Sequence, residues 1–191
     1  MAYIKFSLDT NALLFLAGLE GAPLQVLKNR VEASSSELSI THVQVDEAHE
    51  KELEDYQQKI KKALASLTRR GINVRLEATK ITVAGVSRAD FTRLGDEQIS
   101  TLYNELRKEI DMCQKTKGKP QSLLNIACDA VIAVSSLDHD FFITTDRCLF
   151  DSWLKIINKH GRLRQQHKVP KIIYARRSPK RVAQCISEFL S

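Results

Sequence analysis

The first hydrophobic stretch runs from Tyr3 to Leu8 and stops at Asp9. The helical spacing of NALLFLAGLEG follows at once, and a second helical stretch covers Pro23 to about Glu32. Leu38 to Ile40 is a short strand candidate. Thr41 and Gln44 then have the T-x-x-Q spacing of a capping box, which predicts a helix start. That helix runs to about Thr68, because Leu53, Tyr56, Ile60, Ala63, Leu64 and Leu67 keep one apolar face. Residues 69–95 change character. Ile72 to Leu76 and Lys80 to Val83 alternate or are β-branched, which predicts a hairpin or loop insertion.

Asp96 can cap a helix reaching about Thr116, which Gly118 and Pro120 would end. Another helix is predicted from about Ser122 to Leu137, then a buried strand over Phe141 to Thr144. A helix from about Arg147 to His160 and a strand from Lys171 to Tyr174 follow. Ser178-Pro179 opens the last helix with a cap and an N1 proline. Strands separated by helices imply crossover connections, hence a mostly parallel sheet covered by helices on both faces. The expectation is a single α/β domain over residues 1–191, three-layered, with a mid-chain insertion at 69–95.

Composition narrows this little. The 191 residues are 43% hydrophobic and carry a formal net charge of +6. No run reaches the roughly 18 apolar residues of a membrane span, and Lys5 and Asp9 interrupt the first apolar run, against a signal-peptide core. A cytoplasmic protein with no membrane partner is therefore expected. The charge is unevenly placed: residues 147–191 hold 11 Lys/Arg and 2 acids, while residues 1–146 hold 18 and 21. A basic last quarter beside an acidic body suggests a polyanion, although a solvated basic face is the plain alternative. Cys113, Cys128, Cys148 and Cys185 form no CxxC pair and read as reduced thiols. The histidines lack HxxxH spacing, so zinc is not expected.

The acids carry more. Ligands of open α/β sheets bind beyond the carboxyl ends of the strands. Asp9 ends the first predicted strand, and Asp146 follows the Phe141–Thr144 strand. One such Asp would be an ordinary helix cap; two on one sheet edge suggest a shared site. Asp129 lies within NIACDAVIAVSS, where a charge is costly unless paired or metal-bound. At the second strand-to-helix junction Asp46 and Glu47 compete for a fourth position, and helical geometry does not separate them. Clustered carboxylates without His or Cys are hard oxygen ligands suited to Mg²⁺ or Mn²⁺, and such sites serve phosphoryl chemistry.

FSLDTNALL, LSITHVQVDEAHE and LLNIACDAVIAVSSLDHDFFITTDRCLF together resemble the PIN-domain nucleases, which include the VapC-type toxin ribonucleases. The resemblance implies a compact α/β/α fold and a Mg²⁺- or Mn²⁺-dependent endoribonuclease acting on single-stranded or structured RNA. It places the four acids on Asp9, Glu47, Asp129 and Asp146, favouring Glu47 over Asp46. It assigns Thr144 and Asn11 to ordering the site. Arg147, Arg162, Arg164, Lys168, Arg176 and Arg177 are then candidates to grip RNA phosphates. It also implies two alternatives: a toxin subunit silenced by an antitoxin protein, or a nucleic-acid-binding PIN module without activity. By the same resemblance a homodimer could form through the apolar faces of the 41–68 and 96–117 helices, unless those faces pack on the sheet.

Overall fold

A computed structural model describes residues 3–46, 51–83, 86, 97–118, 121–161 and 163–190. The element order is β1 (Lys5–Leu8), α1 (Thr10–Ala17), α2 (Gly21–Ala33), β2 (Glu37–Thr41), α3 (His42–Asp46), α4 (Lys51–Arg69) and β3 (Val74–Glu77). It continues with α5 (Glu97–Thr116), α6 (Leu123–Ser135), β4 (Phe141–Thr144), α7 (Arg147–Ile157), α8 (Leu163–Gln166), β5 (Lys171–Tyr174) and α9 (Pro179–Glu188). The strands form one sheet in the order β3-β2-β1-β4-β5, and every pair in it is parallel.

Strand alternation divides the core in two. Phe6, Leu8, Leu38, Ile40 and Ile143 point to one face and pack with Leu13 and Leu16 of α1, Leu27 of α2, Ile60 and Leu67 of α4, and Val182 and Ile186 of α9. Phe142 and Ile172 point to the other face and pack with Leu102, Leu106 and Ile110 of α5, the apolar side of α6, and Leu149 and Trp153 of α7. The result is a three-layer α/β/α fold. Among the described residues no single helix is long and apolar enough to cross a membrane. Ile60 and Leu67 of α4 and Ile99, Leu102, Leu106 and Ile110 of α5 are buried in these two cores, which is the plain reading of such stripes.

The capping signals behave as their chemistry requires. Gln44 Oε1 accepts the Thr41 N–H at 2.7 Å, and its Nε2 donates to the carbonyl of Leu8 at 3.1 Å, fastening the start of α3 to the end of β1. Ser122 caps α6 through the N–H of Asn125 at 3.1 Å. Ser178 stands at the N-cap of α9 without a side-chain bond, and Pro179 opens that helix. The helix expected to reach His160 stops at Ile157. Asp96, the expected cap of α5, lies outside the described residues.

One expectation is corrected. The 69–95 segment is not a hairpin where it is described: Val74–Glu77 pairs parallel to β2 and forms the sheet edge. A parallel partner needs a long return connection, and α4 supplies it. Residues 79–83 add no second strand; 84–85 and 87–95 lie outside the described residues.

Candidate acidic site at the strand ends

In strand order, β1 is flanked by β2 and by β4. The chain leaves β1 towards one side of the sheet and returns to its other side at β4, so the crevice between the carboxyl ends of β1 and β4 is a topological switch point. Asp9 and Asp146 stand there. The Asp9 N–H extends the ladder by one more bond, to the carbonyl of Ile143 at 2.9 Å.

Both carboxylates cap helices. Asp9 accepts the Ala12 N–H of α1 at 2.5 Å, and Asp146 accepts the Leu149 N–H of α7 at 2.8 Å. The capping role is thus real, but it does not exhaust either group. Asp9 Oδ2 also accepts the Thr144 hydroxyl at 2.5 Å and the Thr145 N–H at 2.8 Å. Thr144, fully buried, accepts the Asp146 N–H at 3.0 Å on the same oxygen. The T-x-D spacing therefore has a mechanism: one hydroxyl ties the two acids together. Gln114 of α5, itself buried, donates to Asp146 Oδ2 at 3.4 Å.

A carboxylate has about four lone-pair positions. Asp9 uses three and Asp146 two, which leaves roughly three between them. Asp9 is 4% exposed. Burial drives its pKa up, the bonds from Thr144, Ala12 and Thr145 pull it down, and the Asp146 charge pushes it up again; the net shift is upward. A buried acid held beside a second acid is a place where a cation would relieve both desolvation and repulsion. The hydroxyl of Thr145, whose N–H bonds Asp9, is buried and makes no hydrogen bond among the described residues. An all-oxygen donor set with such an orphaned hydroxyl fits a hard ion such as Mg²⁺ or Mn²⁺.

The other predicted residues are distributed as follows. Asp129 is half-buried on α6 between buried Cys128 and Ala130. Glu47 lies outside the described residues, as does the side chain of Asp46. Among the described residues, no group of three or more Asp, Glu, His or Cys side chains is placed to hold a metal ion. The two acids tied together by hydrogen bonds are Asp9 and Asp146, through Thr144. Asn11 is exposed in the first turn of α1. Arg176 and Arg177 are exposed just after β5, on the same sheet edge as the pair. Arg147 is exposed and paired with Asp151 at 3.0 Å. Lys168 precedes β5, at the opposite edge, where its ammonium pairs with Asp140. Arg162 and the Arg164 side chain are outside the described residues.

Gln114 and Thr145 were not singled out from the sequence. Gln114 left a readable signal: it continues the Leu106, Ile110 row of α5 by a further four residues, so a polar side chain was bound for the interior. A second correction concerns the thiols. Cys113 and Cys148 form a disulfide with Cα atoms 5.6 Å apart, while Cys128 and Cys185 are not disulfide-bonded. The pair is made by the packing of α5 on α7, a contact that spacing along the chain does not encode. Cys128 is buried as a small core residue.

A separate polar cluster crosses the sheet. His139 Nδ1 faces the Ser136 carbonyl at 3.1 Å and so carries a proton, while Nε2 lies 2.8 Å from Ser39 Oγ and 3.2 Å from Glu77 Oε2. The hydrogen bond from His139 holds the Glu77 pKa below its ordinary value, against the upward push of burial. A carboxyl with a depressed folded-state pKa stabilises the fold above its unfolded value, and the stabilisation is lost as pH falls through the folded one. Glu77→Gln is expected to cost about 1–2 kcal/mol at neutral pH. The cost should shrink on acidification below the ordinary glutamate value of 4.5. Melting curves of both proteins across that window check it; parallel curves would refute the assignment.

No family model matches the chain, and no curated protein matches it.

Proposed function

We propose that the protein is a metal-dependent endoribonuclease, cytoplasmic and of the PIN-domain type, that hydrolyses phosphodiester bonds in single-stranded or structured RNA. The observation that carries this reading is the buried Asp9, hydrogen-bonded through Thr144 to the segment bearing Asp146, at the topological switch point of a parallel sheet. Asp9 and Asp146 would hold Mg²⁺ or Mn²⁺, with Asp129 and Glu47 as the remaining acids of the set. When bound, the ion offsets negative charge at the phosphate and favours ionisation of water near neutral pH.

The chain's own groups do the rest. Thr144 keeps the two acids in register by donating to one and accepting from the backbone of the other. Gln114 restrains Asp146 from the α5 side. Arg176 and Arg177, exposed on the same edge, orient the phosphodiester backbone through charge.

Labelled single-stranded RNA incubated with the protein should be cut in Mn²⁺ or Mg²⁺ and left intact in EDTA. Cleavage that EDTA does not affect would remove the metal from the proposal. Cutting confined to DNA would remove the substrate and keep the site.

A further inference from the structure

Beside the acidic pair lies a second feature that the metal chemistry does not use. Tyr174, the last residue of β5, is paired in register with Thr144, two positions before Asp146. Arg147 begins α7 immediately after Asp146, and Phe150 follows one turn later. The Arg147 guanidinium lies over both rings, 5.2 Å from the Phe150 centroid and 5.3 Å from that of Tyr174. The two ring centroids are 5.8 Å apart. Asp151 also pairs with the guanidinium, at 3.0 Å from Nε. Each contact alone is weak at a surface, about 0.5–1 kcal/mol for a cation over a ring and about 0.3–0.5 for an i,i+4 ion pair. Three of them on one side chain fix its plane.

The rings are half-buried and the arginine side chain is 55% exposed, so a flat, cationic and aromatic surface is presented to solvent next to Asp146. Arg176 and Arg177 follow Tyr174 by two and three residues and are exposed. Such a combination suits a ligand that is planar and π-rich on one part and anionic on the next. A nucleotide within a single strand has that chemistry; a base inside a duplex does not offer its face.

We infer that Arg147, Phe150 and Tyr174 form a nucleobase-stacking subsite that holds an unpaired base next to the acidic pair. The inference deepens the ribonuclease reading and takes its substrate class from it. It assigns selection for unpaired strands to these three side chains and leaves Arg176 and Arg177 to the phosphates. Stacking supplies the base-dependent part of binding and the arginines the salt-dependent part.

The test is fluorescence anisotropy in EDTA, where no cleavage occurs, with a ten-nucleotide oligouridylate, an abasic strand of equal length and a short RNA duplex. The parent should bind the oligouridylate about 5- to 150-fold more tightly than the abasic strand, the range one stacked base supplies. Tyr174→Leu keeps apolar bulk on β5 and should erase that preference while abasic binding and the salt dependence stay unchanged. Phe150→Leu, in the first turn of α7, provides the same comparison if the β5 variant does not fold. Equal binding of the two single strands by the parent, or full preference retained in a folded variant, would overturn the subsite. So would an equal loss on both probes, which would mark a charge effect. Binding preference without metal-dependent cleavage would keep the subsite and sink the nuclease reading; cleavage without the preference would do the reverse.

Discussion

Asp9→Asn is expected to lower metal-dependent RNA cleavage about a thousandfold while the protein remains folded. A carboxylate that holds a divalent ion contributes several kcal/mol of charge stabilisation, and each 1.36 kcal/mol is a factor of ten, so about 4 kcal/mol is at stake. The structural cost runs the other way. Asparagine keeps one oxygen to accept from the Thr144 hydroxyl and the Thr145 N–H, as Oδ2 does now. Its amide nitrogen then faces the Ala12 N–H, which costs a cap worth about 1 kcal/mol. Against this, a buried charge repelled by Asp146 is removed. The two effects nearly offset, and the melting temperature should move by only a few degrees. Single-turnover cleavage measured beside a melting curve separates them. Activity within tenfold of the parent would show that Asp9 is a helix cap and nothing more.

That the same aspartate both caps a helix and completes a site explains how much of this protein was legible in its sequence. Strand β1 and the Asp that ends it are a local pattern: four residues and the one beyond. The same holds for β4, for the Thr41–Gln44 box and for Ser122. Each is set by neighbours within one turn, and each appears as expected. Strand β3 was misread because it is an edge strand. Its Arg75 and Leu76 are exposed, so it lacks the continuous apolar run that marks a buried parallel strand. Its partner lies across a whole helix, which periodicity does not record. Arg147 was read as a phosphate contact from its charge and position alone; that it is flanked by Phe150 and Tyr174 depends on the β4–β5 register. The bond from Gln114 to Asp146 and the Cys113–Cys148 bridge are likewise products of α5 packing on α7, where no residue is within 30 positions of its partner.

That bridge yields the other large effect. Cys113 and Cys148 are separated by 35 residues, and closing a loop of that length in the unfolded chain is worth about 3–4 kcal/mol at 25 °C. For a chain of this size, 1 kcal/mol moves the melting temperature by about 2–4 °C. Reduction with excess dithiol, or Cys113→Ser, should therefore lower it by roughly 10 °C. The substitution is placed at Cys113 because Cys148 is 2% exposed, where a serine hydroxyl would add an unsatisfied polar group of its own. The bridge has a local consequence too. Cys113 adjoins Gln114, and Cys148 is two residues past Asp146, so the same covalent link that staples α5 to α7 also holds the Gln114–Asp146 contact together. Loosening it should weaken the protein's hold on Mn²⁺ more than Tyr174→Leu does, since that change leaves both elements tethered. Thiol counting under denaturing conditions, before and after reduction, comes first: four free thiols in the untreated protein, or identical melting with and without dithiol, would remove the bridge and restore the four-thiol reading. A bridge that survives purification would in turn weigh on the cytoplasmic part of the proposal, because a reducing compartment keeps thiols of this kind open.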